Sequence, residues 1–278
     1  MQQTVERERR CLCGKNKRNA TRQYIDIYSY NKASEQSRKW DKQQAHPPEF
    51  RGTPKAQQEY TDRQVRKWFA QLIETNFTEE DTHTTLTYMN EYLPEDDEQA
   101  GNDVNNFLRH IRRESKKKGL PKPEALVVTE HQDADLENGK KAVRYHHHVI
   151  LKCGLSRDEI EACWHRNGKR LGRANADRLQ KDKQSLKALA NYLLKNCKRK
   201  HRYKRTRGIK DPIRPEPRDG KYTRRQIERL AKDSALLNSP EYWRRKYPGW
   251  ELDTAKATYS EFLGWHISLE MYRIQPRS

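Results

Sequence analysis

Two neighbouring segments of the sequence have the composition of β-strands, and the connection between them contains a dipeptide typical of hairpin turns. Residues 124–131, EALVVTEH, and residues 142–152, AVRYHHHVILK, are rich in Val and other apolar residues and are bounded by polar ones. The polar connection between them contains Asn138-Gly139, a dipeptide typical of tight hairpin turns. The two segments therefore predict an antiparallel pair of strands in the middle of the chain.

The segments around this hairpin predict an alternation of helices and strands between residues 61 and 200. Residues 83–89, HTTLTYM, are short and rich in Thr, which favours a strand. Helices are predicted from apolar residues at helical spacing and from capping residues. They begin at Thr61 or Asp62, at Asp103 with a stop at Gly119, at Ser156, and within QSLKALANYLLKNCKRK, residues 184–200. The predicted order is helix, strand, helix, strand, strand, helix, helix.

The two ends of the chain predict a different organisation. Residues 1–60 are basic, rich in Gln and poor in aliphatic residues, so we expect an irregular N-terminal arm there. The basic tract from Lys198 to Arg225 is interrupted by prolines, which predicts a loop or linker. Residues 222–237 predict one more helix, and residues 264–274, GWHISLEMYRI, a final strand. We therefore divide the chain into an arm (1–60), a domain (61–200) and a basic linker with a C-terminal extension that packs on or near that domain (201–278).

The charge of the chain limits the kinds of partner it can have. It carries 58 Lys and Arg residues against 39 Asp and Glu residues, a formal charge of +19. Such an excess is typical of proteins that bind polyanions, and nucleic acid is the first candidate. A membrane surface is the alternative, but the sequence contains no long apolar run and no strongly amphipathic basic helix, so we expect no membrane partner.

The cysteines and the N-terminus predict a cytoplasmic protein. Five cysteines, an odd number, do not form a disulfide framework and fit a reducing compartment. The first residues, MQQTVERERR, have no apolar stretch after their charges, so they do not have the pattern of a secretory signal peptide.

Three consecutive histidines lie within the predicted strand at residues 142–152. Because side chains alternate along a strand, His146 and His148 share one face while His147 lies on the apolar face with its neighbours. Residues two apart on a strand stand about 6–7 Å apart at their Cα atoms, so both imidazoles could reach one metal ion on an exposed face. The alternative is that paired surface histidines are merely polar.

A third metal ligand would come from the preceding strand. A hard divalent ion favours a carboxylate, and Glu130 is the nearest acidic residue. A strict two-residue turn at Asn138-Gly139 would place Glu130 opposite His147 and His131 opposite His146. A Glu130 ligand therefore requires a bulge or a longer turn. The sequence leaves open whether Glu130 or His131 completes the site.

A tyrosine lies at the edge of the apolar stripe of the helix predicted within residues 184–200. In LANYLLK, residues 189–195, Lys195 follows Tyr192 by almost one turn on the same side. A phenol can attack a phosphodiester that a metal activates, and a nearby ammonium stabilises the negative charge. The alternative is an ordinary boundary tyrosine followed by a basic helix end.

Taken together and in this order, HTTLTY, YHHHVIL and LANYLLK resemble the three motifs of HUH endonucleases. The resemblance is closest to the single-tyrosine rolling-circle replication initiators (Rep proteins) of bacterial plasmids and phages, and it spans roughly residues 82–200. His147 departs from the pattern because an aliphatic residue is usual between the two histidines. One motif tyrosine disfavours two-tyrosine relaxase chemistry, and the lack of a G-x-x-x-x-G-K-[ST] segment disfavours a fused helicase.

The resemblance implies an α+β fold with a central antiparallel sheet and flanking helices, the RRM-like arrangement of HUH nucleases. It implies that Glu130, His146 and His148 bind Mg²⁺ or Mn²⁺ and that Tyr192 is the catalytic nucleophile, with Lys195 orienting the phosphate or the tyrosine. Such an enzyme nicks single-stranded DNA at an origin, forms a 5′-phosphotyrosine link, leaves a 3′-OH and can rejoin ends. Its partners would be single-stranded DNA or an origin hairpin, together with host helicase and polymerase.

The basic tract after the predicted helix that carries Tyr192 is the predicted DNA-binding segment. It alternates cations with Tyr203 and Tyr222, a pattern suited to phosphate contacts and base stacking. The candidate DNA-binding residues are Lys198, Arg199, Lys200, Arg202, Tyr203, Lys204, Arg205 and Arg207. A merely solvated charge run is the alternative. For the whole chain, an HUH nuclease serving transposition or conjugation and a non-catalytic nucleic-acid-binding protein remain alternative functions.

Overall fold

The described part of the chain forms two compact units. The computed structural model describes residues 4–31, 55–134, 141–180, 186–195, 203–260 and 264–274. Residues within Met1–Arg63 and Pro212–Ser278 belong to the first unit, and those within Gln64–Asp211 to the second. Our division into three domains stays a prediction.

Seven α-helices and twelve β-strands make up the described residues. The helices are α1 (Lys55–Asn76), α2 (Asp97–Lys117), α3 (Arg157–Ala162), α4 (Lys187–Leu193), α5 (Arg224–Lys232), α6 (Ser234–Leu237) and α7 (Pro240–Lys246). The strands are β1 (Thr4–Cys13), β2 (Arg22–Asn31), β3 (Thr82–Thr87), β4 (Glu124–Gln132), β5 (Val143–Lys152), β6 (His165–Arg166), β7 (Lys169–Arg170), β8 (Ala174–Arg178), β9 (Lys204–Arg205), β10 (Arg218–Asp219), β11 (Trp250–Ser260) and β12 (Gly264–Arg273).

The second unit is built on a five-stranded antiparallel sheet with the order β8-β3-β5-β4-β9. The pairing of β4 with β5 is antiparallel, so the predicted hairpin pair is confirmed. Helices flank the sheet, and the predicted α+β class with an antiparallel sheet is confirmed as well. The order of elements between residues 61 and 200 also follows the prediction, with the short strands β6, β7 and β8 inserted before α4.

Both faces of this sheet are covered by apolar helix surfaces. One face packs on α2 and α3 through residues such as Val127, Val149 and Phe107. The other face packs on α1 and α4 through residues such as Val128, Ile150 and Phe69. Because β4 and β5 are buried on both sides, their sequences read as nearly continuous apolar runs rather than as a clean alternation.

Capping residues determine where several helices begin. The Ser156 hydroxyl oxygen accepts a hydrogen bond from the Glu159 N–H, and the Ser156 N–H donates one to the Glu159 carboxylate, so α3 starts at a capping box where the sequence predicts it. Asp96 caps α2 through the Gln99 N–H, which starts that helix six residues before the predicted Asp103. The prediction for α1 is wrong at its start: this helix begins at Lys55, well before residues 61 and 62.

The first unit contains a second five-stranded antiparallel sheet, with the order β10-β1-β2-β12-β11. Helices α5, α6 and α7 pack on one of its faces around a core that includes Ile25, Trp243 and Leu269. Where we expected an irregular N-terminal arm, the chain forms β1 and β2. β2 pairs with β12 from the other end of the chain, so its partner is not visible in the local sequence.

The basic tract from Lys198 to Arg225 is also more ordered than predicted over its described residues. Residues 204–205 form β9 at the edge of the second unit's sheet, and residues 218–219 form β10 at the edge of the first unit's sheet. The prolines between them lie outside both strands, as expected from their missing N–H donors. None of the helices described for this chain is long and apolar enough to cross a membrane.

Candidate active site

The register of β4 and β5 brings Glu130 next to the paired histidines. Glu130 lies opposite His146, and the register shifts between Glu130 and Gln132. The prediction was that a Glu130 ligand needs a bulge or a longer turn, and this register shift lies directly beside Glu130. His131, the residue at the shift, stacks its ring on Tyr145 with centroids 3.8 Å apart and the planes 3° from parallel. Glu130 therefore joins the histidines while the His131 ring packs on a residue of the opposite face.

Glu130, His146 and His148 form a cluster that could hold a metal ion. Each offers one ligand atom, and these atoms lie within 4.8 Å of one another. The Glu130 Oε2 atom is 3.4 Å from the His146 Nε2 atom. His146 Nδ1 lies 2.9 Å from the carbonyl oxygen of Arg144, so in the neutral ring Nδ1–H donates there and the Nε2 lone pair points at the cluster. One carboxylate and two imidazoles are a donor set suited to a divalent ion.

His148 is more buried than the sequence predicted. We expected an exposed strand face, but only 3% of the residue is accessible, because α1 and α4 cover this side of the sheet. Its Nδ1 atom lies 3.1 Å from His83 Nε2 and 3.4 Å from Thr85 Oγ1, both on β3. These contacts leave Nε2 as the ring nitrogen for a metal. The alternative of two merely polar surface histidines therefore does not hold for His148.

His83 and Thr85 are site residues that the sequence analysis missed. β3 pairs with β5 so that Thr85 lies opposite His148, and the His83 ring stacks on His148 with centroids 5.2 Å apart. The alternation along β3 places both side chains on one face, which is the signal that could have identified them. Both contact the imidazole of His148 at Nδ1, the ring nitrogen that does not face the candidate metal site.

The two candidate histidine ligands differ in how tightly they hold a proton. Burial, followed by the nearby His83 and His146, lowers the pKa of His148 to about 4. The hydrogen bond with Glu130 raises the pKa of His146. At neutral pH His148 is thus in the form that ligation needs. A cation bound between Glu130 and His146 would favour the neutral form of the His146 ring.

His147, which departs from the motif of the resembled family, is a fully buried hydrogen-bonding residue. Its Nε2 atom lies 2.8 Å from the Tyr88 hydroxyl and its Nδ1 atom 2.8 Å from the Thr129 hydroxyl. The Tyr88 hydroxyl also interacts with Asp103, whose carboxylate accepts two-pronged hydrogen bonds from Arg166. A network of hydrogen-bonded polar side chains therefore lies on the face of β5 opposite to the two candidate ligands.

Tyr192 lies beside the cluster and faces solvent. It is 60% exposed, and its ring packs edge-on against His148 with centroids 5.7 Å apart. Helix α4 ends at Leu193, earlier than predicted, so Lys195 lies just beyond the helix. Lys195 is exposed, and its backbone N–H donates to the Tyr192 carbonyl at 3.2 Å. The structure thus places the Tyr192 ring beside His148, one of the three candidate ligands, with Lys195 following in a tight turn.

Glu74 on α1 anchors the beginning of the tyrosine helix. Its Oε1 atom accepts a hydrogen bond from the Leu186 N–H at 2.6 Å, and only 7% of the residue is exposed. Leu186 is the N-cap of α4 and has no side-chain cap of its own. A carboxylate at a helix N-terminus satisfies a free donor and is favoured by the helix dipole. The sequence analysis did not identify Glu74, because its partner is 112 residues away.

One protein family matches part of the chain. Residues 81–200 match the family model of the replication-associated protein ORF2. Over these residues the chain is similar to replication-associated proteins. The match covers somewhat less than half of the chain, from β3 past α4, and includes Glu130, His146, His148 and Tyr192. No curated protein and no solved structure matches the chain.

The match to the replication-associated family ends within the basic tract, of which only part is described. Lys198, Arg199, Lys200 and Arg202 lie outside the described residues. Lys204, Arg205 and Arg207 are exposed, and Arg205 forms an ion pair with Asp211.

The two tyrosines of the tract differ in how deeply they are buried. Tyr203 is half-buried, with its ring 4.9 Å from that of Phe69. Tyr222 is buried in the first unit and its hydroxyl lies 2.9 Å from the hydroxyl of Tyr247. Burial leaves the Tyr222 ring no surface for a base, whereas stacking of a base on Tyr203, which is partly exposed, stays a prediction.

Proposed function

We propose that this protein is a replication initiator that nicks single-stranded DNA at an origin by a metal-assisted attack of Tyr192. The observation that carries the proposal is the position of an exposed tyrosine ring 5.7 Å from His148, one member of the cluster of one carboxylate and two imidazoles. The match to the replication-associated family over the same residues supports it.

The proposed reaction is a transesterification at phosphorus. Bound by Glu130, His146 and His148, Mg²⁺ or Mn²⁺ would withdraw electron density from the scissile phosphodiester. The Tyr192 oxygen forms a bond to phosphorus while the bond from phosphorus to the 3′ oxygen breaks. The phenol proton leaves to solvent, and the 3′ oxygen takes the electron pair and a proton to become a 3′-OH. The 5′ end stays joined to Tyr192, so the reverse reaction can reseal the strand.

The surrounding residues hold these groups in place. His83 and Thr85 fix the ring of His148, and Glu74 fixes the start of the helix that presents Tyr192. The Lys195 ammonium, close to Tyr192 in the chain, would stabilise the charge on the phosphate. Keeping reacting groups within a small range of geometries is a large part of such a rate enhancement.

The proposed DNA contacts beyond the reacting phosphate come from the exposed cations of the basic tract. Lys204, Arg205 and Arg207 would bind the phosphates of the strand, together with the four cations at 198–200 and 202 that lie outside the described residues. The charge of these side chains would supply affinity for the strand.

The test is the formation of a covalent adduct. The protein is mixed with single-stranded oligonucleotides covering the flanks of its own gene, in Mn²⁺ or in EDTA, and analysed by denaturing gel and peptide mass spectrometry. We expect an adduct only with the metal, located on Tyr192 and lost in Tyr192→Phe. The matched control is Tyr259→Phe, because Tyr259 is 63% exposed and lies in the first unit.

The outcomes separate the alternative functions. DNA that is bound but never joined, with or without metal, would indicate a non-catalytic nucleic-acid-binding protein. An adduct that forms only on transposon ends or transfer origins would indicate a transposase or relaxase with the same chemistry. The match to replication-associated proteins favours the replication initiator over these.

A further inference from the structure

Three exposed cations lie near one tyrosine on the helices of the first unit. Arg229 on α5 and Arg245 on α7 both interact electrostatically with the Tyr242 hydroxyl. The Lys246 ammonium lies 5.9 Å from the centre of the Tyr242 ring. We call Arg229, Tyr242, Arg245 and Lys246 the α5–α7 surface. All three cations are exposed and Tyr242 is half-buried.

Cations outnumber carboxylates in the helices that form this surface. Residues 224–246 contain seven Lys or Arg against three Asp or Glu. Among the described residues, no ion pair joins Arg229, Arg245 or Lys246 to a carboxylate. The acidic neighbours have other partners: Glu228 pairs with Lys232, Glu251 pairs with Arg244, and Glu241 accepts from Ser239 while acting electrostatically on Arg244 and Arg245.

The surface is held rigidly by the core beneath it. Tyr242 packs edge-on against Trp243 with ring centroids 4.9 Å apart, and Trp243 is fully buried. The Trp243 indole N–H donates to the Leu237 carbonyl at 2.6 Å, which ties α7 to α6. On α5, Ile227 and Leu230 are buried against the sheet. The cations therefore project from helices whose positions are set before any ligand arrives.

We propose that the α5–α7 surface binds the phosphate backbone of double-stranded DNA. Guanidinium and ammonium groups beside a phenol hydroxyl complement the oxygens of a phosphodiester. The proposal rests on the proposed function in that DNA is taken as the substrate of this chain. It adds a second site, outside residues 81–200, that would hold duplex DNA and not the strand being cut.

The form of the surface favours a duplex over a single strand. Proteins that bind single strands without sequence preference stack bases on exposed aromatic rings. Here the aromatic ring is half-buried and fixed edge-on against Trp243, so the groups presented outward are cations. Cations on helices contact the phosphates of a duplex and fix its position without reading its bases. The binding is therefore expected to be independent of sequence.

The experiment measures binding without cleavage. Full-length Tyr192→Phe in EDTA is titrated into fluorescently labelled duplex DNA of arbitrary sequence, and into one of its strands alone, over a range of salt concentrations. The test variant is the triple Arg229→Gln/Arg245→Gln/Lys246→Gln. The matched control is Lys15→Gln/Lys17→Gln/Arg18→Gln, which removes three charges from exposed positions between β1 and β2 of the same unit.

We expect the test variant to bind the duplex at least tenfold more weakly and the single strand within twofold of the parent. The slope of log Kd against log salt concentration should fall by about 2–3, since each phosphate contact contributes about 0.9 to that slope. Arg229→Lys/Arg245→Lys, which retains the charges, should keep most of the slope. This second variant guards against misreading a folding defect.

Three results would overturn the proposal. One is unchanged duplex binding in the test variant, and another is an equal loss in the control triple, which would indicate a general charge effect. The third is a loss for the single strand as large as that for the duplex. Failure of the nicking proposal is read separately, because binding is measured in EDTA and without the Tyr192 hydroxyl, whereas nicking is scored on single-stranded oligonucleotides.

Discussion

The hydrogen bond between Tyr88 and His147 is expected to couple the core of the second unit to the strand that carries the two candidate histidine ligands. Tyr88 is 7% exposed and His147 fully buried, and the Tyr88 hydroxyl lies 2.8 Å from His147 Nε2. The perturbation is a double-mutant cycle of Tyr88→Phe, His147→Leu and the two changes combined.

Each substitution has an expected cost in the free energy of unfolding, which follows from the hydrogen bonds that it removes. Tyr88→Phe deprives a buried ring nitrogen of this partner, which costs about 1–3 kcal/mol of the free energy of unfolding. His147→Leu deprives the hydroxyls of both Tyr88 and Thr129 of a partner, so it should cost more, about 2–5 kcal/mol. In the double variant neither member of the Tyr88–His147 pair remains. Its cost should be smaller than the sum of the single costs by about 1–3 kcal/mol.

The assay is urea-induced unfolding of the four proteins, with the transition of the second unit identified by limited proteolysis and mass spectrometry. Tyr259→Phe serves as the surface control and should change the free energy of unfolding by less than about 0.5 kcal/mol. A coupling energy below about 0.5 kcal/mol between Tyr88 and His147 would refute the view that this hydrogen bond supports the strand.

Four further predictions concern the surroundings of the site. Glu74→Ala should cost about 1–2 kcal/mol of stability and slow nicking, because the Leu186 N–H loses its acceptor, while Glu74→Gln should recover most of both in unfolding and nicking assays. His83→Ala should weaken Mn²⁺ binding to the Tyr192→Phe protein by about tenfold or more in titration calorimetry, and unchanged affinity would contradict its positioning role. In EDTA, the free energy of unfolding should fall as the pH drops from about 6.5 to about 4. Burial lowers the pKa of His148 to about 4 in the folded protein, so in this range the unfolded chain binds a proton that the folded protein does not. His148→Asn should make this fall smaller, as measured by urea unfolding at several pH values. Cys163 should resist iodoacetamide at about pH 8 until the protein is unfolded, because burial raises the pKa of its thiol to about 12, and peptide mass spectrometry of the native protein would show any early labelling.

Much of the candidate site could be predicted from local sequence. Strand alternation placed His146 and His148 on one face, and the turn signal identified β4 and β5 as partners, because both signals depend only on neighbouring residues. A Glu130 ligand was predicted to need a bulge or a longer turn, and the register of β4 and β5 shifts beside Glu130. His83 on β3 and Glu74 on α1 were not predicted as site residues, since their contacts are made across long sequence separations.

The sequence by itself determined the local elements of this protein: the apolar β4–β5 pair, the caps of α3 and the apolar stripe that presents Tyr192. These follow from residue spacing and backbone hydrogen bonding within a few residues. Only the tertiary structure decided that β2 pairs with β12, that His148 is buried beneath two helices and that the ring of Tyr203 packs against Phe69. Burial depends on which distant segments meet, and apolar surface is removed from water wherever packing allows it, so no local pattern specifies these outcomes.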